Sequence, residues 1–302
     1  MTAAYGLMAP WVFVLAPLVT LLLVSRPSVR REWIALAVAI PLLVLSLASV
    51  GGLFAQFVRA AGAMLSGAFV VLMLSRPGPV FPRAVAATGI AGATILLVGR
   101  YLGFGWPEVQ ASAARETAEF FSSQATAAAA QGAAGDAAKQ VFTELAQRAE
   151  SVASLFPAIL ILAALAGLAL AWRLYQELAS RPVPWTAGSF GSFRFGDQLV
   201  WVPVLALAVL VFPVTDAPGG LSLTIAAQNV LLVSVVLYAM RGLAVFWTVA
   251  RAAPRAIVLA LTLVAVFLSP FAVSGLALLG LADSWVDFRR RVAPPTTGGF
   301  NP

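Results

Sequence analysis

Apolar runs of membrane-spanning length follow one another along this chain, separated by short connections that carry arginine. Residues 7–24, 33–50, 60–74, 84–98, 155–172, 199–212, 221 to about 251, and 256–282 form the series. One bilayer crossing takes about 20 apolar residues as helix. The arrangement is that of an all-α polytopic transmembrane helix bundle with about eight spans. Composition agrees, since 10% of residues are charged where soluble domains carry about 25%.

Basic residues set the expected orientation. No basic residue precedes the first run, and Arg26, Arg30 and Arg31 follow it. This reverses the charge order of a signal peptide, so the segment is expected to stay in the membrane with its arginines in the cytoplasm. Arg76 and Arg83 mark the next cytoplasmic turn, and Arg59 marks the outer edge of the short loop before the third run. Arg173, Arg181 and Arg194 mark the turn after the fifth. The seventh run carries Arg241 late in its length and is either long and tilted or leaves the bilayer before that residue. Eight crossings from an outside start place Arg289, Arg290 and Arg291 outside, against the positive-inside rule. A re-entrant turn at Ser269-Pro270, or an early run that does not cross, would remove the conflict.

Residues 107–154 differ in character, with six acids (Glu108, Glu116, Glu119, Asp136, Glu144, Glu150) against three bases. The segment reads as an extracytoplasmic hairpin of two amphipathic helices between spans four and five, with Asp136 as N-cap of the second. Val141, Leu145, Val152 and Phe156 repeat at helical spacing into the next span. The domain plan is spans one to four in 1–106, the hairpin in 107–154, spans five to eight in 155–288, and a basic, Pro/Gly-rich tail in 289–302. Small residues four apart, Ala87/Ala91, Gly89/Ala93 and Ala163/Gly167, suit close helix packing within the chain.

The sequence has no Cys and no His, which removes zinc fingers, Fe–S clusters and Ser-His-Asp relays. It also has no Gly-rich loop ending in Gly-Lys-Ser/Thr, and its single lysine, Lys139, lies in the acidic segment. No metal site and no cofactor are expected. The net charge of +7 is spread as topology signals rather than gathered on a nucleic-acid-binding face. Acids lie at run ends or in connections (Glu32, Glu177, Asp197, Asp216, Asp283, Asp287), which disfavours a proton relay within the spans.

Two constellations stand out. Thr224, Gln228, Ser234, Tyr238 and Arg241 fall within about 140° of one helix face, with Asn229 on the other side. Such a stripe suits a solute cavity, with Arg241 attracting an anion, or helix-to-helix hydrogen bonding with Arg241 snorkelling to the interface. Asp283 and Asp287, four apart, share a helical face near Arg289. That suits a helix-end anchor or docking motif, with Trp285 and Phe288 as its aromatic belt, better than acid/base or divalent-ion chemistry.

Gly280-Leu281-Ala282-Asp283-Ser284-Trp285-Val286-Asp287-Phe288-Arg289 resembles the C-terminal signature of the YybS-like family of uncharacterised bacterial membrane proteins. Leu155-Phe156-Pro157, Phe193-Arg194-Phe195 with Leu199-Val200-Trp201, and Gly242-Leu243-Ala244-Val245 resemble it as well. The family more often has Gln before the glycine that Gly242 matches, so Arg241 departs from it. In layout the family is similar to the membrane-embedded substrate-binding components of energy-coupling-factor vitamin transporters, an analogy of architecture alone.

The expectation is a non-catalytic component of a bacterial cytoplasmic (inner) membrane that binds or moves a solute. Its partners are the lipid bilayer, further membrane subunits or an ATPase that supply energy, and a small-molecule ligand. The alternative is an envelope scaffold or assembly factor.

Overall fold

The computed structural model describes residues 11–48, 52–103, 105–185, 188–212, 220–252 and 269–288. These residues form helices and connections, with no strand among them. Among the described residues, five helices are long and apolar enough to cross a membrane. The chain divides into two units, Met1–Ala187 and Gly188–Pro302.

In the first unit, α1 (Val12–Val24), α2 (Arg30–Ala48), α3 (Leu53–Ser75) and α4 (Val80–Tyr101) come first. They are followed by α5 (Trp106–Ala129), α6 (Asp136–Gln147), α7 (Ala149–Ser154) and α8 (Phe156–Leu178). Helix α1 is apolar on all sides and is the most enclosed, with Val12, Phe13, Leu21 and Leu22 buried. Glycine admits it to its site. A methyl group on Gly62 of α3 would strike the Val12 side chain, and one on Gly167 of α8 would lie 2.9 Å from the Phe13 carbonyl oxygen. Pro17, inside α1, lacks the N–H that would bond that same carbonyl, so the contact with Gly167 falls where the α1 backbone is open. Ala87 and Ala91 of α4 are buried as a small-residue seam, whereas Gly89 and Ala93 are exposed.

Phe69 packs edge-on to Trp172, and Trp172 lies 5.4 Å from Tyr175. Below them Glu32, buried at the start of α2, accepts the backbone N–H of Ser28 (2.7 Å), Val29 (2.8 Å) and Ser180 (2.6 Å). One carboxylate thus caps α2, satisfying donors that the helix cannot, and ties it to the chain leaving α8.

Several boundaries differ from the sequence expectation. Helix α3 begins at Leu53, so Arg59 lies within it and donates to the Leu47 carbonyl at 2.9 Å. Gly135 occupies the N-cap of α6 and Asp136 its first turn. The expected run from Val141 to Phe156 is interrupted at Arg148 (φ −94°, ψ 11°). It is interrupted again at Leu155, ahead of Pro157, whose ring suits the first turn of α8. The α5/α6 contact includes Phe121 stacked on Phe142.

In the second unit, short turns at Phe190–Ser192 and Asp197–Val200 lead into α9 (Trp201–Val211). Helix α10 (Gly220–Ala252) runs 33 residues without a break and contains Arg241. Helix α11 is Ser269–Val286. The earlier part of the last apolar run and the tail with Arg289, Arg290 and Arg291 lie outside the described residues. Helix α10 packs against both α9 and α11.

Candidate functional site

The second unit is built around a glycine crossing. A methyl group on Gly242 of α10 would collide with the Leu276 carbonyl, and one on Gly280 of α11 with the Tyr238 carbonyl. Without side chains at these points the two backbones touch, as in small-residue packing of membrane helices. The crossing brings the residues beside it, Arg241 and Asp283, face to face.

Arg241 is fully buried, and its planar fork is divided among three acceptors. Nε donates to Asp283 Oδ2 at 3.0 Å, Nη2 to Asp197 Oδ1 at 2.9 Å, and Nη1 to the Phe195 carbonyl at 3.4 Å. The Phe195 ring lies 5.4 Å from the guanidinium carbon and meets Tyr238 edge-on at 5.1 Å. The network continues outward through Arg194, which bonds Asp197 Oδ2 at 3.3 Å and Asp287 Oδ2 at 3.1 Å. Side-chain exposure rises from 1% at Asp283 to 49% at Asp197. Three carboxylates and two guanidiniums therefore alternate from the buried seam to the surface.

Local backbone explains this placement. Asp197 opens the turn before α9, so its carboxylate is offered sideways to α10. Asp287 follows α11 with φ +47°, a left-handed position common at helix ends and tolerated by Asp. Its N–H still reaches the Asp283 carbonyl at 3.3 Å. The helix ends at Val286, between the two aspartates, and Arg194, Asp197 and Arg241 link their carboxylates.

Charge balance follows from the geometry. Burial alone would raise the Asp197 carboxyl, but the hydrogen bond and charge of Arg241, joined by those of Arg194, hold it below its ordinary value. The Asp287 hydrogen bond raises Arg194 despite partial burial. A buried ion pair repays its desolvation only when further hydrogen bonds fill the remaining donors, and the Asp197 and Phe195 contacts do that for Arg241. Three of its five N–H donors are engaged in this way, each toward a different segment: α11, the turn before α9 and the Phe195 carbonyl. Among the described residues no group of three or more His, Cys, Asp or Glu side chains is arranged to hold a metal ion.

The stripe on α10 is divided. Ser234, Tyr238 and Arg241 are buried, Thr224 is half-buried and Gln228 is exposed. Ser234 Oγ donates to the Val230 carbonyl of its own helix at 2.7 Å. Asn229, on the opposite side, is also buried and donates to the Ile225 carbonyl. Gln228 stands thirteen residues from Arg241, roughly 20 Å along the helix, too far for one small molecule to touch both. At the C-terminal motif, Gly280 forms the helix crossing, Asp283 and Asp287 enter the network, Phe288 is half-buried, Trp285 is 69% exposed, and Arg289 lies outside the described residues.

Arg194, Asp197 and Phe195 complete the site and were absent from the sequence-derived constellations. The signal for Asp197 was available, since an arginine inside an apolar run requires a carboxylate partner and few acids lie at the run ends.

A family model described as a predicted membrane protein (DUF2232) matches residues 2–284. No curated protein and no solved structure matches the chain.

Proposed function

The chain belongs to the DUF2232 family of predicted membrane proteins, and we propose that within a bacterial cytoplasmic membrane it acts as a non-catalytic solute-binding or transport component. In this reading α2, α3, α4, α8 and α10 cross the bilayer, and the shorter apolar helices α1, α9 and α11 complete eight spans. Helices α5 and α6 form the outer hairpin. The YybS-like signature and the layout analogy with energy-coupling-factor components belong to the same reading. Energy comes from a partner subunit, as the chain carries no nucleotide-binding loop.

The observation that carries the proposal is the buried Arg241 network on a membrane helix. Ionisable groups in such helices are costly and mark solute paths or moving elements. Here the network latches α10, α11 and the 194–197 segment together. The solute contact falls to Gln228, whose exposed amide makes no hydrogen bond among the described residues.

The test is gentle purification from native membranes, with mass spectrometry of retained proteins and small molecules. The proposal expects an ATPase, a second membrane subunit and a small ligand, with the ligand lost in Gln228→Leu while the protein stays folded. Envelope-assembly proteins with no ligand would overturn it. That result would favour a scaffold, a second reading supported by the exposure of Trp285 beside the surface end of the network.

A further inference from the structure

Three helices of the first unit run in the same direction. Phe13, early in α1, lies against Gly167 of α8, and Ser25, just past α1, shares a 2.6 Å hydrogen bond with the Tyr175 hydroxyl further along α8. Gly62 of α3 lies against Val12, and Phe69 of α3 against Trp172 of α8. The C-terminal ends of α1, α3 and α8, and with them the starts of α2 and α4, therefore meet at one end of the unit.

That end gathers Arg26, Arg30, Arg31, Arg76, Arg83 and Arg181, none of which makes an ion pair among the described residues. Arg31 and Arg83 donate to backbone carbonyls, of Ala179 and Arg76. Two acids lie at this end, and neither neutralises the six. Glu177 pairs with Arg173, and Glu32 is committed to three backbone N–H groups. The opposite end carries the acidic segment, since Trp106 of α5 packs on Phe57 and Ser112 accepts the Phe54 N–H near the start of α3.

We propose that this end binds the phosphate headgroups of anionic phospholipids. Guanidinium forks match phosphate oxygens two at a time, and basic clusters beside span ends recognise anionic lipid. The neighbouring surface selects lipid over a soluble phosphate. Trp33, Ile34 and Val38 of α2, Leu74 of α3 and Val85 of α4 are exposed beside these arginines, so one ligand meets charge at its head and apolar surface along its chains. The proposal rests on the chain being membrane-embedded and is independent of any solute.

Full-length protein in a zwitterionic detergent is offered phosphatidylglycerol and phosphatidylcholine in equal amounts, and retained lipid is counted by native mass spectrometry. Phosphatidylglycerol should be retained about tenfold over phosphatidylcholine. The triple variant Arg30→Gln/Arg76→Gln/Arg181→Gln should lose that preference at an unchanged melting temperature, and each single variant should lose part of it. Arg59→Gln/Arg100→Gln, outside the cluster, should keep it. Equal retention of both lipids by the wild type, or a preference that survives the triple variant, would overturn the proposal. Complete displacement of lipid by inorganic phosphate would overturn it too. Failure of the chain to incorporate into vesicles of either lipid would instead remove the membrane reading beneath it.

Discussion

Arg241 and Asp283 form a fully buried ion pair, Nε to Oδ2 at 3.0 Å, between two helices whose backbones touch at Gly242 and Gly280. Removing one member of such a pair strands the other, at about 3–5 kcal/mol. The two losses should be unequal. Arg241→Met removes three hydrogen bonds at once, whereas Asp283→Leu leaves Arg241 held by Asp197 and the Phe195 carbonyl. Thermal unfolding in detergent should rank Arg241→Met as the more damaging. Arg241→Met/Asp283→Leu should be more stable than the sum of the single losses implies; strict additivity would show that the pair is not coupled.

The glycine crossing provides its own control. Gly242→Ala and Gly280→Ala each push a methyl group into a backbone carbonyl, which cannot rotate away, and should cost about 1–3 kcal/mol through forced separation of α10 and α11. Gly275→Ala on α11 meets nothing within 4 Å. It should be neutral or slightly stabilising, since Ala favours helix over Gly by about 1 kcal/mol. Equal melting temperatures for the Gly275 and Gly280 variants would refute the crossing.

Helix type and approximate extent were readable from the length of the apolar runs because a membrane helix satisfies its own backbone. The breaks were less readable. Arg148 and Leu155 interrupt an amphipathic repeat through local dihedrals that hydrophobic pattern does not encode. Asp283 and Asp287 were expected on one face because spacing assumes the helix continues, and it ends at Val286. One Arg241 partner was hidden for another reason. Asp197 is 44 residues away and reaches α10 from an irregular turn, so only the need of a buried charge for a counter-charge pointed to it.

Asp197 gives the network a pH dependence of defined sign. Burial raises its carboxyl, Arg241 and Arg194 together lower it further, and the net result lies below the ordinary value. A group depressed in the folded state contributes stability above its unfolded pKa, about 3.9 for Asp, and loses it as pH falls through the lower folded value. The second unit should therefore hold its stability from neutral pH to about 4 and lose part of it below. Asp197→Asn should flatten that acid limb. The effect is small, as the side chain is 49% exposed and solvent screens it. An acid limb unchanged in Asp197→Asn would place the titration elsewhere.

Tyr238 separates packing from ligand contact. Its ring meets Phe195 edge-on, while its buried hydroxyl faces the Ser284 hydroxyl of α11. Tyr238→Phe keeps the ring and removes only the hydroxyl that faces Ser284, so stability should fall by no more than about 1.5 kcal/mol. Tyr238→Ala removes the aromatic contact and leaves a cavity beside Arg241, at about 3–5 kcal/mol. Ligand retention by Tyr238→Phe then decides the extent of the solute contact. Retention equal to wild type confines that contact to the Gln228 part of α10. A loss at unchanged melting temperature would instead move the solute contact away from Gln228 to the Tyr238 hydroxyl, with the Arg241 network as one wall of the binding site.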